Sequence, residues 1–419
     1  MKQLYAFYES KRVGTLTKDD EDVYSFEYEK SWREDAEAFP ISLSMPLDQE
    51  KFGNKITLSF FENLLPEGDV RRELQESHKI EGVFDFLAEF GKDCAGAITL
   101  SEKPGAIALA NQEELIPIEM GKVYEAIDQN LSVAEVISET SPGYLSLAGA
   151  QDKFPAVIRD RKFFLPKNGQ PTTHIVKVPI WRHGVKESVY NEYFCMQLAK
   201  VVGLEVPDCQ VIDGKHPLFV IDRYDRNTSK ERARRIHQQD LCQAQGVTSS
   251  SKYEEKGGPS IKQNYDLLTQ HLSSEHRIKG LDRFLSWLCF NLIIGNNDSH
   301  SKNLSLLLQT KTKYTLAPFY DLMCTAIYPK LDKRFSFLVG GRGDFSTVGK
   351  KEIEVQEAQL DVKPGKLHRQ FQSTAALIQE HHRDLAKKVA TGLPNAAFPN
   401  RICDLIDDRI KSFKARGAL

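Results

Sequence analysis

One stretch constrains this chain more than any other: Asn291 to Asp321, NLIIGNNDSHSKNLSLLLQTKTKYTLAPFYD. It opens with the apolar end of a helix (Leu285, Leu288, Phe290, Leu292, Ile293) and stops at Gly295 and two asparagines. That punctuation puts Asp298, His300, Lys302 and Asn303 on a turn at a helix end. Beyond them, Leu304 to Leu308 and Tyr314 to Ala317 read as two short strands joined by a polar QTKTK turn, which hands the chain on to Phe319, Tyr320 and Asp321. Any fold of this sequence has to hold a carboxylate and an amide on one helix-end loop, and a second carboxylate just past a hairpin.

Phosphoryl transfer uses those residue types in that order. One aspartate accepts or orients the proton of the attacking hydroxyl, while an asparagine and a second aspartate hold magnesium, a hard ion that takes oxygen ligands. The spacing from Asp298 to Asn303 equals that of the protein-kinase catalytic loop, and Asp321 stands where a magnesium aspartate would. The ordinary reading of an Asx-rich loop is a helix cap or turn. The ordered hairpin and the second aspartate favour the phosphoryl-transfer reading.

A chain of 419 residues has room for two or three domains. Its 41% hydrophobic and 27% charged residues are those of a soluble globular protein, and 56 basic against 58 acidic residues argue neither for nor against nucleic acid. The N-terminal residues show no basic-then-apolar signal pattern. The apolar run Phe284 to Ile294 is interrupted by Ser286, Cys289 and Asn291 and is too short for a bilayer, so a cytoplasmic protein without membrane contact is expected. Seven scattered cysteines, none in a C-x-x-C pair, suggest neither a disulfide framework nor a zinc site.

In chain order, residues 1 to about 48 alternate in short β-type runs (Leu4 to Tyr8, Val13 to Leu16, Val23 to Tyr28, Ile41 to Leu43). A helix near Ser59, a break at Pro66 to Gly68, a second helix capped by Asp69, a helix from Val83 to Phe90 and a strand from Ala97 complete a small α+β module. The polar stretch Ser101 to Leu115 is the best linker, and the expected domains are 1–110, 111–225 and 226–419. YLSLAGAQDKFPAVIRDRKFFLPK then alternates like two strands about a turn at Ala148 to Asp152, and THIVKVP follows as a strand bearing Lys177. The helix SVYNEYFCMQLAKVV carries Glu192, and the strand PLFVIDRYDR ends at Asp222, Arg223 and Tyr224. Strand, small-residue turn, strand and lysine is the order of a kinase small lobe, though the turn holds one glycine, Gly149, and no G-x-x-x-x-G-K-[ST] is present. Residues Asn227 to Pro259, with Lys230, Arg232, Arg234 and Arg235, read as a solvated face or a patch steering an acidic protein or nucleic acid. His382, Arg383 and Asp384 spell a kinase HRD, but Val389 stands where the asparagine is needed, so the triplet is read as surface helix. The C-terminal region is otherwise helical.

Taken in order, ISLSMPL, FFENLLPEGDVRRELQ, YLSLAGAQDK, THIVKVP, NEYFCMQLA, FVIDRYDR, RIHQQDLCQAQG and IIGNNDSHSKNLSLL with LAPFYDL resemble the HipA family of bacterial serine/threonine kinases, toxins of HipBA-type toxin-antitoxin systems, over nearly the whole chain. The resemblance implies an α+β fold: a protein-kinase-like two-lobed core, small β-rich lobe and large helical lobe, after the N-terminal module. It implies ATP and Mg2+ as cofactors, with Asp298 catalytic beside Lys302, and with Asn303 and Asp321 as metal ligands. Ala148, Gly149, Lys153, Lys177, Asp222, Arg223, Tyr224, His300 and Tyr320 are the implied ATP-binding residues, and Ser146 the implied autophosphorylation site. The family often has glutamate where Asp222 stands, and HSKN replaces smaller residues around His300; neither departure removes a catalytic group. The implied partners are a HipB-like helix-turn-helix antitoxin, operator DNA met mainly through it, and a protein substrate, an aminoacyl-tRNA synthetase such as the glutamyl enzyme. A small-molecule (aminoglycoside-type) phosphotransferase and a catalytically silent co-repressor or scaffold remain open alternatives.

Overall fold

The computed structural model describes residues 1–105, 114–141, 143–144, 148–167, 169–181, 184–229, 232–391, 393 and 395–419. The chain divides into two compact units, each discontinuous in sequence. The first comprises Met1–Pro179, Ile212–Ser250 and Ser305–Lys313, and the second Ile180–Val211, Ser251–Leu304 and Tyr314–Leu419.

The first unit contains two antiparallel sheets. In one, the strands lie in the order Lys51–Phe52, Tyr24–Tyr28, Lys11–Lys18, Lys2–Tyr8, Ile98–Ser101. Alternation and register send Leu4, Ala6, Leu16 and Phe26 to one apolar face, where helices Asn54–Phe61 and Val83–Phe90 add Phe60, Phe61, Phe86 and Leu87, all fully buried. Side chains of this size contribute about 1.5–3 kcal/mol each when buried. The run Ile41 to Leu43, which alternates like a strand, is not one. Its Ile41 N–H donates to the Tyr28 hydroxyl, and its Leu43 N–H to Gln239 Oε1, so side chains distant in sequence take the bonds a sheet would have used. The helix starting near Ser59 begins earlier, at Asn54, and the next, Gly68–His78, is entered from Glu67 rather than capped by Asp69.

In the second sheet the strands of this unit run in the order Leu115–Pro117, Lys162–Pro166, Lys153–Arg159, His174–Lys177, Leu218–Asp222. The hairpin turn falls at Asp160 and Arg161, both with positive φ (48° and 60°), the twist a two-residue hairpin needs. Ala148 to Asp152 instead leads into the first strand of that hairpin. Two further pairings, Arg226–Asn227 with Arg234–Arg235 and Gln238–Asp240 with Ser305–Thr310, complete the unit.

The second unit is helical. Ser274–Ile294 is its axis: Phe284, Leu285, Trp287, Leu288, Phe290 and Ile293 are all fully buried or nearly so, as expected of a helix apolar on every side near its end. Helices Lys366–Ala390 and Phe398–Ala415 pack on it, with Ser188–Val201 against both of these. Arg409 donates from Nε and a terminal nitrogen to the Leu292 carbonyl (3.0 and 2.6 Å), closing the C-terminus of the axial helix, while its guanidinium lies 3.6 Å from the Phe345 ring centroid. Burial lowers the arginine to about 10. The HRD triplet sits within Lys366–Ala390, where His382 and Arg383 bind Asp407 and Arg383 also binds Asp404 of the neighbouring helix; His382 is buried rather than on the surface.

Candidate functional site

The axial helix ends because Gly295 turns left-handed (φ 74°), a conformation that disfavours any Cβ, and a Cβ there would come within 2.7 Å of the Ala326 Cβ. The loop that follows is fixed by amides. Asn296 Nδ2 donates to Asn291 Oδ1 (2.8 Å) and to the Asp321 carbonyl (3.1 Å), so one side chain spans from the helix end to the segment beyond the hairpin. The Asn297 N–H donates to Thr325 Oγ1 (2.8 Å), the Ala326 N–H to the Gly295 carbonyl (2.9 Å), and Ser299 Oγ to the Asn296 carbonyl (2.9 Å). Little of the loop is left to ligand binding to arrange.

On this frame Asp298 keeps its side chain 57% exposed, while His300, Lys302 and Asn303 are buried. Asn303 Nδ2 donates to the Asp298 carbonyl (3.1 Å), which commits the amide nitrogen and leaves the amide oxygen as the end that suits a cation. Tyr320 donates to the Lys302 carbonyl (2.7 Å), and Asp321 follows in the left-handed region (φ 53°), unusual for a residue other than glycine. Strain of this kind is retained where the surroundings impose it. Here the Asn296 bond to its carbonyl is part of what does so.

The remaining candidate residues lie in the first unit. Lys153 and Lys177 stand directly opposite each other on adjacent antiparallel strands, which puts two ammonium groups on one face. Like charges so placed repel by themselves and suit an anion. Lys177 is buried, and Lys153 Nζ turns back onto the Ala148 carbonyl (2.6 Å). Gly149 has φ 106°, a backbone region that favours glycine, whereas the 2.7 Å a Cβ would leave to the mobile end of Lys153, Nζ, could be relieved by the lysine shifting. Its carbonyl accepts from the Glu67 N–H (3.0 Å), tying this turn to the N-terminal module. Asp152 accepts from Ser132 Oγ and the Val133 N–H (3.0 and 2.8 Å), and burial pushes its carboxyl up to about 6.

Two family models match: the HipA N-terminal domain over residues 4–101 and the HipA-like C-terminal domain over 145–396. The chain belongs to the HipA family. Among its relatives, the protein named "Putative kinase Y4mE" of Sinorhizobium fredii is 33% identical over 350 residues, 82% of each chain. The serine/threonine-protein kinase toxin HipA of Shewanella oneidensis is 29% identical across 80% of this chain and 78% of that one. A chain of the solved Shewanella oneidensis MR-1 complex of HipA, HipB and operator DNA matches with a TM-score of 0.82 at 26% identity, covering 98% of this chain and 97% of the other. The α+β, kinase-like two-lobed fold expected from the sequence is therefore the fold observed, and the protein is a serine/threonine protein kinase of the HipA family.

Other expected site residues are placed less simply in this HipA-family chain. Asp222 is largely exposed and pairs with His174 (3.3 Å), and the Tyr224 hydroxyl bonds Gln238. The Arg223 side chain is committed elsewhere: it binds Asp225 through two nitrogens (3.0 and 2.9 Å) and Asp93 at 3.1 Å. Arg226 and Arg235 reach the same Asp93 carboxylate (3.0 and 2.9 Å), and Arg226 also binds Asp225 at 2.8 Å. Burial alone would push Asp93 up, but Arg226, Arg223 and Arg235 overcome it and hold the carboxyl well below the usual range. The stretch read as a solvated basic face thus sends Arg235 inward; Lys230 lies outside the described residues, as does Ser146. Glu192 is buried on Ser188–Val201, in the second unit. Among the described residues no group of three or more His, Cys, Asp or Glu side chains gathers as a metal site, and no helix is long and apolar enough to cross a membrane.

Proposed function

We propose that this chain is an ATP- and Mg2+-dependent kinase acting as the toxin of a toxin-antitoxin pair. Asp298 is the catalytic carboxylate, with Lys302 beside it, and Asn303 and Asp321 take the metal. Ala148, Gly149, Lys153 and Lys177 receive the phosphates. The backbone and rings around Asp222 to Tyr224, together with His300 and Tyr320, serve the rest of the nucleotide. The observation that carries this reading is the Asn296 side chain, which bridges the end of the axial helix to the Asp321 carbonyl and so holds two acidic segments in one frame. An amide oxygen and a carboxylate are hard donors, and Asn303 with its nitrogen committed to the Asp298 carbonyl fits such an ion. Magnesium would supply charge neutralisation on the nucleotide phosphates.

The finer parts of the proposal follow the family. The protein substrate is an aminoacyl-tRNA synthetase, the glutamyl enzyme first among them, and Ser146 receives phosphate from the kinase itself. A HipB-like antitoxin is the partner through which operator DNA is met, which the likeness to the solved complex supports. The domain division is an N-terminal module to about residue 110, a small lobe to about 225 and a large lobe beyond. The two matched family models leave 102–144 between them, in keeping with a linker there.

The test is intact mass and phosphopeptide mapping of the purified chain after incubation with ATP and Mg2+, beside Asp298→Ala and with synthetase and aminoglycoside acceptors in separate arms. Phosphate on Ser146 and on a synthetase, absent from the variant, is the expected result. Transfer to the aminoglycoside alone would replace the protein-kinase reading with the small-molecule one. No transfer in any arm from a chain that carries no phosphate beforehand would leave the silent scaffold.

A further inference from the structure

The segment Ser251 to Gly258, SKYEEKGG, looks from its composition like solvated loop. In the structure it aims a phenol at the kinase loop. The Tyr253 hydroxyl donates to Asp298 Oδ1 at 2.6 Å, a short bond to a carboxylate whose side chain is otherwise more than half exposed. His300 Nε2 lies 3.9 Å from that oxygen, beyond hydrogen-bond reach. His300 instead meets the Tyr253 ring edge to face, with centroids 5.4 Å apart, and Lys252 and Lys256 hold their ammonium groups 5.4 and 5.3 Å from the ring centroid.

The tyrosine is held from behind. Its carbonyl accepts from the Lys256 and Gly258 N–H groups (both 2.9 Å), so the chain folds tightly around it. Gly258 admits no side chain, because a Cβ would fall 2.2 Å from the Ser251 carbonyl oxygen. The next residue is anchored twice: the Glu254 N–H donates to the Ser336 carbonyl (3.2 Å), and its carboxylate accepts from the Leu338 N–H (2.8 Å). Glu255 pairs with Arg334 at 2.7 Å. A ring fixed by so many backbone contacts presents its hydroxyl in one place.

We infer that Tyr253 is a positioning residue for phosphoryl transfer: its O–H fixes one oxygen of the Asp298 carboxylate and so aims the other at the acceptor hydroxyl. The inference rests on the assignment of Asp298 as the catalytic carboxylate. A carboxylate on an exposed aspartate swings about χ2, and the acceptor hydroxyl has to find it in one orientation for its proton to be taken up. A single donor of fixed position removes that freedom, and Tyr253 is not among the residues assigned to the nucleotide. The effect therefore belongs in the turnover rate and not in ATP binding.

The experiment compares wild type, Tyr253→Phe and Asp298→Asn as purified full-length chains. It measures phosphate transfer from ATP with Mg2+, summed over the chain itself and a serine/threonine peptide pool, across a range of ATP concentrations. Tyr253→Phe is expected to lower the maximal rate about 10- to 100-fold, the weight of one hydrogen bond to a charged group. The half-saturating ATP concentration should stay within about twofold and the melting temperature should not change. A Tyr253→Phe rate equal to wild type, while Asp298→Asn is inactive, would overturn the inference and leave the kinase assignment standing. A faster Tyr253→Phe enzyme would overturn it too, since the phenol would then be occupying the place of the acceptor. If Asp298→Asn itself transferred phosphate at the wild-type rate, or wild type transferred none, it is the reading of Asp298 that fails, and the inference with it.

Discussion

Asp93 and Asp298 are both aspartates beside cationic or hydrogen-bonding groups, and the two sites treat charge in opposite ways. Around Asp93 three guanidiniums, the Thr172 hydroxyl and the Thr172 N–H converge on one carboxylate with no exposed surface. Asp298 has one phenol on one oxygen and open solvent over more than half its side chain. The first carboxylate is saturated and can only hold structure together. The second is fixed in place yet keeps capacity for a partner that is not part of the chain. Satisfaction of a charge, more than its presence in a motif, separates the acid that builds the fold from the acid that can act.

The sharpest way to break that comparison is to remove each acid in turn. Asp298→Ala is expected to lower phosphate transfer by about 10³-fold or more with little change in melting temperature, read by radiolabel or intact-mass assay. Asp93→Asn should do the reverse. With one buried carboxylate gone, three guanidiniums face a single remaining acid, at a cost of about 3–5 kcal/mol, seen as a lower urea midpoint or as insoluble protein. If Asp93→Asn were as stable as wild type, the cluster would not be holding the first unit as argued.

Two further substitutions sharpen the contrast between fixed frame and available charge. Gly295→Ala places a side chain in left-handed backbone against Ala326, and should cost about 2 kcal/mol in thermal unfolding and also slow transfer, because the loop hangs from that turn. Asp152 gives a smaller, pH-dependent effect. Burial raises its folded carboxyl to about 6, above the ordinary unfolded value, so the folded chain binds the proton more tightly. The stability this provides is fully present below about pH 4 and is lost as pH rises from there through about 6. Asp152→Asn, which keeps an acceptor for Val133, should flatten that part of the stability profile, and at pH 7.5 should raise the unfolding midpoint by the equivalent of about 1–2 kcal/mol. A profile between pH 4 and 7 that is unchanged in the variant would count against it.

Local features were readable in advance where local physics decides them. The apolar period of the axial helix, its stop at a glycine, the following hairpin and the spacing from Asp298 to Asn303 all act within about thirty residues, and helix Val83–Phe90 fell where its pattern placed it. Distant pairings were not. Asp93 meets Arg226 across 133 residues of chain, so DRYDR looked like the lip of a nucleotide site, although the side chain of its first arginine belongs to the core. Ile41 to Leu43 alternates as a strand does, yet Gln239, far along the chain, takes the bond a neighbouring strand would have made. Tyr253 gave little signal, because a tyrosine among lysines, serines and glycines has the composition of a loop.

The bond from Arg409 to the Leu292 carbonyl also sets an order in time. A ribosome makes Leu292, then the loop, then the hairpin, and must add 117 residues after Leu292 before the arginine that closes the axial helix exists. During that interval the acidic segments are already made but the helix end they hang from is open. The chain therefore carries its own delay between synthesis of its chemistry and completion of the scaffold that holds it.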